Sequence, residues 1–459
     1  MIKHLERIAP LLALAVLAAC QDDSISLPTN SERSLDAQVR QAISPWGVVP
    51  ILPIKAQDPA LVDLGRALFF DKVLSGNRDV SCATCHSPAT STNDKLSLAI
   101  GTAAVRVGGT RTLGAGREFT PRNAPSLLSV GLGPFYMFWD GRVSEEGGVA
   151  RFRTPAGAAL PPGVSSLLAA QAMMPVTNRV EMRGIVGDRD ASGNVNELAL
   201  PADDQYAQIW SATMRRVLAL SGYLQKFAAA YPGVPQDRLG FEHAANAIAT
   251  FERETFTKIN SAFDRYLARD DAALSVDAKQ GALLFFGRAR CSSCHNGPML
   301  GGQSFASVAV PQIGPGTGKS APLDAGRGDA DVGGIPQTPR FFFRIPPLRN
   351  VELTAPYMHN GAYPTLEAVL RHYSNIDSAV KAYDVSQIDQ SLRATYHGDA
   401  ATINGLLSSL DGRLRQLTLT PDDQKALVAF LKSLTDPSAR DMSAVIPSSV
   451  PSGLPIRDF

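Results

Sequence analysis

Two Cys-x-x-Cys-His runs, Cys82 to His86 and Cys291 to His295, use four of the chain's five cysteines. In such a run the two thiols can form thioethers with haem vinyl groups, and the histidine that follows is placed to ligate the iron. A zinc site would need its two Cys-x-x-Cys hooks about 15 to 20 residues apart, whereas these lie in different halves of a 459-residue chain. A disulfide framework belongs to much smaller chains. The spacing therefore predicts two covalently bound c-type haems, one on Cys82, Cys85 and His86, the other on Cys291, Cys294 and His295.

The remaining cysteine, Cys20, closes a segment with basic Lys3 and Arg7, an apolar run from Leu11 to Leu17, and the small-residue end Leu17-Ala18-Ala19-Cys20. That is the build of a secretory signal, too short to span a bilayer. Its end resembles a bacterial lipoprotein box, which would make residues 1–19 the signal and Cys20 the lipidated mature N-terminus. An ordinary cleaved signal with a stray cysteine is the alternative. Either implies export, and covalent haem fits a periplasmic or extracytoplasmic location. Gln21 is not the aspartate of inner-membrane retention, which favours an anchor in the outer membrane. Residues 20–50 then read as a polar tether.

The elements that must position the two motifs show in an internal repeat. Gly65-Arg-Ala-Leu-Phe69-Phe70 precedes the first motif and Gly281-Ala-Leu-Leu-Phe285-Phe286 the second. Both predict a helix whose aromatic end packs against a haem. Each half closes on an amphipathic stretch, Ala247 to Phe251 and Ala426 to Phe430. The second has Thr420 as its N-cap, Pro421 in the first turn, and Asp422 and Asp423 against the helix dipole. A helix before the haem and one crossing it at the end describe a small all-helical haem domain, present twice. The expected fold class is all-α: two cytochrome c-like haem domains in tandem with long ordered loops, such as Val310 to Pro339. The expected ranges are 51–260 and 261–436, with a tail over 437–459. With 38 Gly and 32 Pro the chain has material for those loops. A net charge of +1 offers no basis for binding nucleic acid, and no second apolar run is long enough for a membrane span.

From Leu64 to Leu434 the chain resembles the bacterial di-haem cytochrome c peroxidases and the related MauG-like enzymes. The resemblance rests on ordered motifs: Arg122-Asn123-Ala-Pro-Ser126, Phe138-Trp139-Asp140-Gly141-Arg142, Gln171 to Met182, Pro347 to Val351, and Thr354-Ala-Pro356-Tyr-Met-His359-Asn-Gly361. It implies hydrogen peroxide as substrate at the N-terminal haem, with a distal Gln and Glu that match Gln171 and Glu181. A carboxylate there can take a proton from one peroxide oxygen and return it to the other. The resemblance also implies an indole, Trp139, passing charge between the haems. Asn123, with the backbone carbonyls of Thr354 and Pro356, matches positions that help hold calcium.

Two departures from the simple peroxidase pattern carry information. Peroxidases that need reductive activation have a histidine after the first haem motif, and this chain has none between His86 and His243. The first iron is therefore expected to be open at rest. Where peroxidases supply a methionine to the second haem, reading on from Thr365-Leu-Glu367 gives Tyr373, as in MauG-like enzymes. A phenolate favours the oxidised states of iron, whereas methionine raises the potential. Met358 or His372 could ligate in its place, but residues 372 and 373 point about 100° apart on a helix and do not both face the haem.

The resulting expectation is an exported di-haem oxidoreductase that takes its oxidising equivalents from peroxide and oxidises a partner protein. A peroxide scavenger fed by a small redox-protein donor is the second reading, and a non-catalytic electron carrier the third. His243 and His397 are expected in packing or loop positions, and His359 in a structural hydrogen bond.

Overall fold

The computed structural model describes residues 34–133, 135–145, 151–330, 338–414 and 417–456. Helix Pro59–Phe70 starts on Asp58, whose carboxylate accepts from the Ala60 and Leu61 N–H groups, with proline in the first turn where its missing N–H costs nothing. Helix Phe241–Phe256 crosses it at Gly65, so closely that a Cβ there would lie 1.9 Å from the Ala247 carbonyl oxygen. Helices Val276–Phe286 and Pro421–Ser433 repeat the crossing, with Gly281 against Ala426 and again 1.9 Å. The rings match as well: Phe69 meets Phe251 at 5.2 Å between centroids, and Phe285 meets Phe430 at 5.1 Å. The sequence repeat is thus a repeat in space. At the start of the last helix the Thr420 hydroxyl accepts from the Asp423 N–H, and the Asp423 carboxylate accepts from the Thr420 N–H, a reciprocal cap that satisfies two otherwise orphaned donors.

Two hydrophobic cores form around these crossings, and each takes in a piece of the opposite chain end. The first spans Leu64 to Phe256 and also buries Ala439, Met442 and Val450. The second runs from Phe263 to Leu434 and also buries Val39, Ile43 and Val48. Among the described residues the chain is otherwise helix and loop, with two short antiparallel strand pairs: Tyr136–Met137 with Val143–Ser144, and Phe305–Ala306 with Phe343–Arg344. Among the described residues no helix is long and apolar enough to cross a membrane.

The stretch expected as a tether, 20–50, differs from that expectation over its described part. Residues Leu35–Ile43 are a helix capped by Ser34. Val39 and Ile43, four residues apart, face the second core, while Arg40 donates to the Tyr266 carbonyl and pairs with Asp271. Lys279 pairs with Asp36 at 2.7 Å. The expected tail also docks: the Ser452 hydroxyl donates to Asp71 at 2.6 Å, and Arg66 Nε donates to the Val445 carbonyl at 2.7 Å. Residues 1–33, with the expected signal and Cys20, lie outside the described residues, as do 331–337 of the expected Val310–Pro339 loop.

Candidate haem sites

In the first motif the His86 N–H bonds the Cys82 carbonyl at 2.9 Å, which curls the three ligating groups into one turn. Cys82, Cys85 and His86 line a cavity with Gln171, Glu181, Met182, Ile248 and Glu252. Gln171 sits in the last turn of helix Leu167–Ala172, capped by Ser166. Glu181 lies in the turn Arg179–Arg183, where the Asn178 side chain accepts from the Val180 and Glu181 N–H groups. Gly101 backs that turn so tightly that a Cβ would lie 2.1 Å from the Val180 carbonyl oxygen, and the Thr102 N–H donates to the Glu181 carbonyl. Burial pushes the Glu181 carboxyl above its ordinary value, and the charge of Arg142 opposes that rise. Among the described residues His86 is the only histidine lining this cavity.

The second motif repeats the turn, with the His295 N–H on the Cys291 carbonyl at 2.8 Å. His295 Nδ1 lies 3.1 Å from the Leu300 carbonyl, which leaves Nε2 for a metal. This cavity, about 270 Å³, gathers Cys291, Cys294, His295, Phe285, Tyr373, Met358 and Trp139. Here one aromatic of the Leu-Phe-Phe end does reach the haem cavity; in the first half Phe69 and Phe70 instead pack among Phe251 and Phe256. Of the two neighbours on helix Leu366–Ser374, His372 points away: its ring nitrogens meet the Tyr363 hydroxyl at 2.8 Å and the Val308 carbonyl at 2.7 Å. Tyr373 points in, and burial, then the nearby Cys294 and Cys291, push its phenol above the ordinary value. A neutral phenol is thus what the apolar cavity favours, and a phenolate there needs a cation beside it.

The donor sets fit c-type haem. Burial lowers both His86 and His295 to about 4, so both imidazoles are neutral and free to donate a lone pair. It pushes the Cys85 thiol up to about 11 and Cys291 up to about 12, and all four motif cysteines are free of disulfides. Among the described residues no cluster of three or more His, Cys, Asp or Glu could hold a metal in place of haem.

Trp139 reaches the second cavity but not the first. Its indole N–H donates to the Asn123 carbonyl at 2.9 Å, and its own carbonyl accepts from the Arg344 N–H at 2.7 Å. Its motif neighbours hold it there. Arg122 bonds Asp140 at 2.5 Å and Asp324 at 2.7 and 2.9 Å, a buried ion cluster joining the two halves of the sequence. Asn123, Thr354 and Pro356 line one cleft beside Trp139. Arg344 and Arg349 also border that cleft and no carboxylate does. That charge balance opposes a divalent cation, which prefers anionic oxygen.

Among the other histidines, His359 stacks on Phe343 at 3.6 Å, and its carbonyl accepts from the Asn123 N–H. The His243 ring accepts from the Gly240 N–H in the first turn of its helix, and the His397 N–H donates to the Gln312 carbonyl. Two cavity residues escaped the sequence reading. Arg344 is buried beside Trp139, and Glu252 is buried beside Cys82. A hint for Arg344 was its place in an apolar run, Phe341 to Pro347, where a charge has no solvent face.

Two haem-attachment motifs, each beneath a pair of crossing helices, define a di-haem cytochrome of the c type. The sequence model of the family described as di-haem cytochrome c peroxidase matches residues 59–273, and one described as RoxA-like, cytochrome c-like matches 343–376. The methylamine utilization protein MauG of Methylorubrum extorquens is 31% identical over 315 residues, 69% of this chain and 69% of that protein. The cytochrome c551 peroxidase of Nitrosomonas europaea is 30% identical over 71% of this chain and 77% of its own length. Among solved structures, a MauG-like protein associated with microbial copper homeostasis superposes with a TM-score of 0.58 at 25% identity, over 87% of this chain and 96% of that one. The chain belongs to the di-haem cytochrome c peroxidase and MauG family. It is an oxidoreductase of that peroxide-using kind, and the family implies two c-type haems.

Proposed function

We propose that this enzyme reduces hydrogen peroxide at the haem of Cys82, Cys85 and His86, and passes the oxidising equivalents by way of Trp139 and a Tyr373-ligated second haem to a partner protein. One observation carries the reading: the two cavities are opposite in charge. The first is lined by Glu181 and Glu252 and no arginine or lysine. The second is lined by Arg288, Arg290, Arg344 and Arg413 and no carboxylate. Carboxyls suit proton transfer to a bound oxygen substrate, whereas arginines around Tyr373 supply the positive charge that a phenolate needs in an apolar cavity.

A haem held by the first motif would supply the iron on which peroxide binds. Glu181 is the base of this cavity placed to take a proton from one peroxide oxygen and return it to the other, and the Gln171 amide is the group that would hold the substrate meanwhile. Burial raises the Glu181 carboxyl above its ordinary value, which makes it the better proton acceptor for that transfer. Among the described residues no second histidine lines the first cavity, so a haem held there would have no imidazole to displace before peroxide binds. In the second cavity Tyr373 rather than His372 faces the space between Cys291, Cys294 and His295, so Tyr373 is the side chain that would hold a haem iron there, as its phenolate.

Glu181→Gln tests the reading. The reaction with peroxide should slow by about 10² to 10⁴, the usual worth of general acid–base catalysis, with resting spectra kept. Unchanged peroxide kinetics would remove Glu181. The similarity to a cytochrome c551 peroxidase favours a second reading, in which a small redox protein feeds electrons to the second haem; the Tyr373 variant discussed below separates the two. Export and anchoring through Cys20 complete the proposal. Cys20→Ala should abolish labelling of the protein by a fatty acid in cells.

A further inference from the structure

We propose that Glu252 is a second proton-donating group of the peroxide cavity, delivering protons that are consumed when peroxide becomes water. Glu252 is 4% exposed on helix Phe241–Phe256, lines the cavity with Cys82, His86 and Glu181, and leaves its Oε2 without a hydrogen-bond partner. An unpartnered buried polar group destabilises the fold, so packing alone would place an apolar residue there. The chain contains that apolar version. The crossings superpose through Gly65 and Gly281, Ala247 and Ala426, Phe251 and Phe430, which sets Ile248 against Leu427 and Glu252 against Leu431. Ile248 and Leu427 line their respective cavities, and so do Glu252 and Leu431. The carboxyl occurs only beside the cavity that also holds Glu181.

The reaction gives it work. Peroxide reduction takes up two electrons and two protons and yields two waters. This inference rests on the proposed role of Glu181, which relays a proton that peroxide already carries and so adds none. When the electrons come from a donor that releases no protons, both protons must enter through the protein. The O–H bond of Glu252 breaks, a new O–H bond forms on the oxygen that remains after the first water departs, and the carboxylate regains its proton from solvent. The other titratable groups of the cavity are Glu181 and His86; Arg142 acts on Glu181, and the buried pair of Arg111 and Asp94 lies beyond Cys85. No arginine or lysine lines the cavity, and burial pushes the Glu252 carboxyl up to about 8, which favours its acid form.

The test uses the di-haem holoprotein with Glu252→Gln, which keeps the shape, and Glu252→Leu, which copies the repeat. Infrared spectra of the wild type should show a protonated-carboxyl band that shifts in heavy water and is lost in both variants. Stopped-flow separates the encounter with peroxide from the return of the resting spectrum on adding a reduced one-electron dye. The return should slow by about 10²-fold in both variants, the low end for a lost general acid, with the encounter far less affected and Glu252→Asp restoring part of the return. Absence of the band, an unchanged return, or equal slowing of both steps overturns the proposal, the last because it marks a merely structural residue. Glu181→Gln slows the encounter instead, so failure of the Glu181 reading is seen separately.

Discussion

Gly281 lies against the Ala426 carbonyl so closely that a single added methyl would sit 1.9 Å from the oxygen and 2.8 Å from Phe430 Cβ. The obstacle is helix backbone, which moves only by separating the two helices that frame the second haem cavity. Gly281→Ala should therefore destabilise the second core by about 3 kcal/mol or more, the top of the overpacking range. Gly65→Ala should do the same to the first core. Thermal melts followed at each haem's absorption check this, and a melt unchanged in both variants would show that the crossings yield easily.

The attachment chemistry is tested by extraction. Both haems should stay with the polypeptide in acidified acetone, because thioethers to Cys82, Cys85, Cys291 and Cys294 are covalent. Electron paramagnetic resonance of the ferric protein should show one high-spin and one low-spin haem. Two low-spin signals would mean that a side chain of the first cavity, such as Met182, caps the iron.

What the sequence made legible followed from spacing. The Cys-x-x-Cys-His turns, the repeated Gly at the helix crossings and the Thr420 cap are local patterns, and each one is found in the structure. The misreading of residues 34–50 as tether has a different cause. The Leu35–Ile43 helix buries few of its own side chains, and its partners Tyr266, Asp271 and Lys279 are more than 200 residues away, so nothing local marks it as docked. Glu252 was missed because one charge on an amphipathic helix reads as its solvent face. Only the alignment of the two crossings shows that this position points inward.

The buried Glu252 carboxyl also predicts a pH dependence. Pushed up to about 8 by burial, it keeps its proton in the folded protein over a range where the unfolded chain has lost it. The folded state then binds more protons, so this group's contribution to stability falls as pH rises from the ordinary carboxyl range to about 8. Each pH unit in that window costs about 1.4 kcal/mol. Melts of wild type and Glu252→Gln should converge at acid pH and separate toward pH 8 in favour of the variant; parallel curves would show that the group is ionised throughout.

Tyr373 decides what the second haem is for. The structure turns it into the cavity with Cys291, Cys294 and His295, while His372 is held away by Tyr363 and the Val308 carbonyl. Met358 lines the same cavity and is the competing ligand. If the phenolate ligates, Tyr373→Met should raise the potential of the second haem and ease its reduction, because an anionic oxygen favours oxidised iron and a thioether the reduced state. Met358→Leu should leave that potential where it is. The opposite result, with Met358→Leu altering the spectrum and Tyr373→Met silent, would transfer the ligand role to methionine. The same variant separates the two enzymatic readings. An enzyme that oxidises a partner protein needs the second haem to hold oxidising equivalents, so Tyr373→Met should abolish that activity while peroxide still reacts at the first cavity. A peroxidase fed by a small redox protein needs only an electron path, and would keep or gain turnover when the second haem becomes easier to reduce.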